Sequence, residues 1–310
     1  MSKLVFFLQI FFLFSCLSSG KTKNQQGSPE FRPSFYLGAY ISNRTARSLK
    51  SFDAVTEELK GAGFNAFVID VQPQKLPQET WEILKKHGIY PIARVVNFEG
   101  GLETEFPTPE RLKSIKEAVR NACNLGFREI NLDYIRYSDG GWKFRANFEK
   151  RYNNITGIIQ EIRQDTKDAC GSSVLFGGDI FGRVPFIEND AIGQRVENFS
   201  EVLDLLYPML YPSHFYGLKE RMNDPYTTVW DGIDKTQKRS RKGVETVAWI
   251  QGFKMHIGSS GLTYKDYIKV QMQASYDAKS RGFVVWNAHN EYDTTSIALK
   301  EFLEENPNLR

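Results

Sequence analysis

The chain has 310 residues, a formal net charge of +3, 41% hydrophobic and 25% charged residues, proportions that exclude a disordered, collagenous or coiled-coil protein. Its length suits either two ordinary domains or one barrel of about 250 residues with additions. So small a charge over this length argues against nucleic acid as a partner, and the one basic run, Lys235 to Lys242, reads as a solvated helix end.

Residues 1–20 carry one lysine, then run apolar from Leu4 to Phe14 except at Gln9, then turn to small residues. That run falls short of the roughly 20 residues a spanning helix needs, so it reads as an export signal. Its end, Leu13-Phe14-Ser15-Cys16, resembles the lipobox of bacterial lipoproteins. The resemblance implies a signal peptide over 1–16, lipidation at Cys16, and a membrane-anchored protein of the periplasm or cell surface. Simple cleavage near Ser19 or Gly20, giving a secreted protein, is the alternative. Residues 17–34 are polar and read as a flexible tether ahead of a single domain over 35–310. Cys123 and Cys170 lack CxxC spacing or a histidine pair, so no zinc is expected; a disulfide and two separate buried thiols are both open. The sequons at Asn43, Asn154 and Asn198 matter only in a eukaryotic secreted chain.

From residue 35, short β-rich runs alternate with amphipathic ones. The first four β-rich runs are 35–42, 65–72, 90–98 and 128–137, and the next four are 173–182, 204–215, 245–253 and 282–290. Between them, Ser51 to Gly61 places Phe52, Val55 and Leu59 on one helical face, and Pro109 to Leu125 does so with Leu112, Ile115, Val119 and Ala122. Gly63, Gly88, Gly126 and Gly282 read as helix stops ahead of a buried strand. Eight such units predict a closed α/β (β/α)₈ TIM barrel. An open doubly wound sheet would show a glycine-rich phosphate loop after an early strand, and Ser42-Asn43-Arg44 stands there instead.

In such a barrel the carboxyl ends of the strands carry the active site. Those ends hold Asp70 and Gln72, Arg94 and Asn97, Asp133 and Arg136, Asp179, Tyr211 and His214, Trp249 and Gln251, then Trp286, Asn287 and Asn290. Carboxylates among aromatic and amide side chains suit a carbohydrate, whose ring faces stack on Trp and Tyr while its hydroxyls bond to polar groups. Cleaving a glycosidic bond takes two carboxyl groups, and Asp133 and Asp179, on adjacent strands, are the best-placed pair. Alternation puts Asn131 and Asp133 on one face, inward if Ile130 points outward. Arg136 is expected close enough to pair with a carboxylate. The bland readings are a structural Asp133–Arg136 ion pair, Asp179 as a turn cap and Asp70 bound to a helix amide. His214 reads as a hydrogen-bonding group, and Glu291 as a lesser candidate. No G-x-S-x-G elbow, His-x-His pair or strand-end lysine other than Lys254 supports a serine, metal or Schiff-base mechanism, so no metal or cofactor is expected.

The motifs 65–70 (NAFVID), 92–96 (IARVV), 129–137 (EINLDYIRY), 178–182 (GDIFG), 208–215 (PMLYPSHF), 249–253 (WIQGF) and 286–288 (WNA) resemble the bacterial glycosyl hydrolase domain proteins, whose barrel is related to the α-amylases. The resemblance covers about residues 35–295. It implies a glycoside-hydrolase-like barrel acting on a polysaccharide or oligosaccharide, with Asp133 as nucleophile or base and Asp179 as general acid. Asp70, Arg94, Asn131, Arg136, Tyr211, His214, Trp249, Gln251, Trp286 and Asn287 would bind the substrate. The chain departs from the amylase plan in carrying Asn131 where an arginine is usual, Asp179 where the acid is usually glutamate, and no third carboxylate around Trp249 to Phe253. A non-catalytic carbohydrate-binding protein of the cell envelope is therefore the alternative.

Overall fold

The computed structural model describes residues 32–140 and 146–309. The expected signal, Cys16 and most of the expected tether lie outside them. Among the described residues eight parallel strands close into one barrel in sequence order. They are β1 (Tyr36–Ile41), β2 (Ala66–Asp70), β3 (Tyr90–Val96), β4 (Glu129–Asp133), β5 (Leu175–Phe181), β6 (Leu205–Met209), β7 (Glu245–Gln251) and β8 (Gly282–Trp286). β8 pairs back onto β1, with Tyr36 opposite Gly282 and Ala39 opposite Val285. Each expected strand forms, but most are shorter than their β-rich run, so Arg136, Tyr211, His214, Asn287 and Asn290 stand on the loops beyond.

Alternation sorts each strand into an outer and an inner row. Ile130 and Leu132 join the large cluster under the helices, whereas Tyr36, Tyr40, Val68, Tyr90, Ile92, Tyr207, Val247, Trp249 and Val284 form a second cluster inside the barrel. Each fully buried Ile or Leu of the outer layer contributes about 1.5–3 kcal/mol by leaving water. The helix Pro109–Leu125 shows how the sequence sets one unit. Thr108 caps it by accepting the Arg111 amide at 3.2 Å, Pro109 opens it, and Ile115, Val119 and Ala122 are buried.

Gly63, Gly88 and Gly126 end their helices as expected. Gly282 does not. The helix Tyr264–Asp277 stops earlier, and Gly282 instead opens β8 against the backbone of β1, where a Cβ would lie 2.3 Å from the Tyr36 nitrogen. Of the basic run, Arg239 is held by Glu197 and by the carbonyls of Val184, Pro185 and Ile187. Cys123 and Cys170 form a disulfide with Cα atoms 5.0 Å apart, joining Pro109–Leu125 to the short helix Lys167–Cys170.

The barrel floor is polar yet saturated. Glu129, the first residue of β4, is fully buried. It accepts hydrogen bonds from the hydroxyls of Tyr36 (2.6 Å), Tyr90 (3.1 Å) and Tyr207. Arg32 lies 3.5 Å from the same carboxylate and 2.5 Å from Glu245, closing the floor from outside. Gly177 makes this possible, since a Cβ there would sit 2.5 Å from the Tyr207 ring.

Candidate active site

The mouth is built around Arg94, on the inner row of β3 and almost fully buried. Its Nη1 donates to Asp70 Oδ1 at 2.5 Å, while Nε, at 2.9 Å, and Nη2 both donate to Asp133 Oδ2. One guanidinium thus bridges two strand-end carboxylates, and these anions raise its pKa against the opposing effect of burial. Their other oxygens are engaged too. Asp70 Oδ2 accepts the Tyr40 hydroxyl at 2.6 Å, and Asp133 Oδ1 accepts the amide of Tyr134 at 2.6 Å.

Asp179 differs. Leu132 is paired with Gly178, so the next step of the register sets Asp133 beside Asp179 on adjacent strands about 4.8 Å apart. Asp179 is buried, and its Oδ1 accepts from Asn131 Nδ2 at 2.8 Å and from the Trp249 indole at 2.7 Å. Burial, then the negative charge of Asp133, push its pKa well above the ordinary carboxylate range. The mouth therefore holds an ion-paired carboxylate next to a carboxylic acid that keeps its proton to unusually high pH.

Aromatic rings wall this group. Trp286 packs against Tyr40 (centroids 4.1 Å apart) and edge-on to Trp249 (5.5 Å), with the Arg94 guanidinium 5.1 Å from its ring. The buried Tyr211 phenol is pushed well above its usual pKa by desolvation and then by Asp179 and Asp133. Eight of the residues read from the sequence come together here: Asp70, Arg94, Asn131, Asp133, Asp179, Tyr211, Trp249 and Trp286.

The other four lie elsewhere. Arg136 does pair with a carboxylate, but with Asp139 at 3.1 Å, and lies over the Phe181 ring; the bland Asp133–Arg136 ion pair does not form, and Arg94 pairs with Asp133 instead. The cause is local, because Tyr134 has φ 52 and turns the chain away directly after Asp133. Gln251 spends its amide on Ser213, Phe253 and Met255, and Asn287 spends its own on Gly252, His289 and Glu291. His214 is exposed on the loop after β6. Tyr40 was missed by sequence reading, although the alternation of Tyr36 and Tyr40 along β1 was its signal. Among the described residues no three His, Cys, Asp or Glu side chains converge to hold a metal ion.

Solved structures share the architecture. An endo-β-1,4-mannanase from Thermotoga petrophila is similar at 13% identity and TM-score 0.63, over 90% of this chain and 78% of that one. A glycoside hydrolase from Streptomyces cattleya, in complex with Manβ1-4GlcNAc, gives 10% and 0.66 over 90% and 81%. The spore cortex-lytic enzyme SleL of Bacillus megaterium gives 10% and 0.58 over 88% and 75%. At such identities the likeness is one of fold. No curated protein matches the chain in sequence. The model of the family described as "Putative glycosyl hydrolase domain" matches residues 114–292, which span β4 to β8 and more than half of the chain, and the protein belongs to that family.

Proposed function

We propose that the protein is an exported glycoside hydrolase that cleaves a polysaccharide or oligosaccharide with Asp179 and Asp133. The observation that carries this is the unequal pair: Asp179, buried with its two donors on Oδ1 and its pKa raised by desolvation, beside Asp133, ion-paired with Arg94. Asp179 delivers its proton from Oδ2 to the glycosidic oxygen as the bond to the anomeric carbon breaks. Asp133 opposes the positive charge developing on the sugar ring and acts as nucleophile or as base toward water. Asn131 and Trp249 aim Asp179, Arg94 and Asp70 aim Asp133, and Trp286 supplies a ring face for the sugar. The family, and a fold shared with a mannanase and with an enzyme bound to a β-1,4-linked disaccharide, support this substrate class. The Cys123–Cys170 bridge supports export, since such bonds persist in oxidising compartments.

Release of reducing ends from a panel of polysaccharides tests the reading. Asp179→Asn and Asp133→Asn are each expected to lower kcat by about 10²- to 10⁴-fold while leaving the fold intact. Near-native rates in either variant would sink the assignment. Glycan binding without products, unchanged by Asp133→Asn, would favour a non-catalytic carbohydrate-binding protein.

A further inference from the structure

Rings lead outward from the carboxylates along the loops after β6 and β7. Tyr211, 6% exposed and facing Asp179, meets His214 edge-on at 5.3 Å. His214 stacks on Tyr216 at 6.4 Å and 19°, and Tyr216 meets His256 at 6.1 Å. Phe253 fills the angle between Tyr211 and His214, at 5.7 Å from each. The outermost ring, Tyr216, is 63% exposed, more than any other large hydrophobic side chain among the described residues.

The arrangement is held from beneath. Gln251 is buried, accepts the amide of Ser213 at 3.1 Å, and donates to the carbonyls of Phe253 at 3.0 Å and Met255 at 2.9 Å. One side chain therefore ties the residue before His214 to the residue before His256. His256 has φ 53, in the left-handed region, and its carbonyl accepts the Ser259 hydroxyl at 2.8 Å. A histidine pays for that backbone only where its surroundings fix it. Residues 210–218 and 252–261 contain no carboxylate, and Lys254 is their one lysine. An exposed, braced set of rings with imidazole hydrogen-bonding groups and little charge suits a neutral sugar ring: its CH face stacks, and its hydroxyls find the imidazoles.

We infer that Tyr216, His214 and His256 form an outer sugar-binding subsite, continuous with the mouth through Tyr211 and Phe253, which takes a neutral hexose unit beyond the two that flank the cleaved bond. The inference rests on the glycoside hydrolase reading and makes the substrate a chain rather than a terminal disaccharide. Gln251 is then a positioning residue for the platform.

The test is affinity electrophoresis of the native protein, Tyr216→Ala and Tyr216→Trp through gels containing galactomannan, glycol chitin or hydroxyethylcellulose, with reducing-end release measured on the same polymers and on aryl glycosides of one or two sugars. Tyr216→Ala is expected to weaken binding of the polymer that native protein retains by about threefold to tenfold. Tyr216→Trp is expected to retain it, and rates on the short aryl glycosides are expected to stay native. Retention of Tyr216→Ala equal to native, or no retention of native protein by any of the three polymers, overturns the subsite. Tyr216-dependent retention without product from any substrate upholds the subsite and overturns hydrolysis instead.

Discussion

The two ends of the barrel each bury a carboxylic acid on the inner row, Glu129 at the floor and Asp179 at the mouth. Burial raises the pKa of both. Glu129 is answered on both oxygens, by three tyrosine hydroxyls and the nearby Arg32. Asp179 has its two donors on Oδ1. A buried acid surrounded by donors serves cohesion, because its proton and lone pairs are already committed. A buried acid whose second oxygen meets no donor among the described residues has a proton left to give to a substrate. The same desolvation thus yields structure at one end and reactivity at the other, and what differs is the number of partners.

That contrast can be broken by variants at either end. Arg94→Met should have the largest effect on stability, about 3–5 kcal/mol in a denaturant titration, because Asp70 and Asp133 lose their shared counter-charge; a loss below 1 kcal/mol would show that the bridge is not needed. At the floor, Tyr207→Phe keeps the ring against Gly177 but removes a donor to Glu129. A loss of about 1–3 kcal/mol with unchanged kcat is expected, and a fall in kcat would mean that the floor is coupled to the chemistry. The smallest effect is read as a slope. Asp179 has a raised pKa in the folded chain, so the folded state holds this proton more tightly than the unfolded one. Its contribution to stability is full below the ordinary carboxylate pKa and is lost as pH rises through the raised value. Over that window native stability should fall more steeply than that of Asp179→Asn, with Glu129 contributing equally to both; parallel curves would contradict the protonated acid.

Much of this was legible in the sequence. Short β-rich runs alternating with amphipathic segments placed all eight strands, and adjacency of the fourth and fifth strands put Asp133 beside Asp179. Strand ends were overread because the loops beyond them stay apolar, as at Tyr137 and Phe215. The partner of Asp133 was hidden from the sequence for a different reason. Arg136 is near in sequence, but the left-handed turn at Tyr134 carries it off, while Arg94 reaches across from the neighbouring strand. Such a contact follows from register and side-chain reach, which no local pattern records. The outer rings were only partly visible, through His214, because Tyr216 and His256 sit in loops without periodicity.

Arg32 sits at the base of the barrel, at the entry of the described chain. This residue meets Glu129 and Glu245, the opening residues of β4 and β7, so the chain enters the barrel through the face opposite the carboxylates. The first described residue is thus part of the base, and Asp70, Asp133 and Asp179 lie toward the other end of their strands.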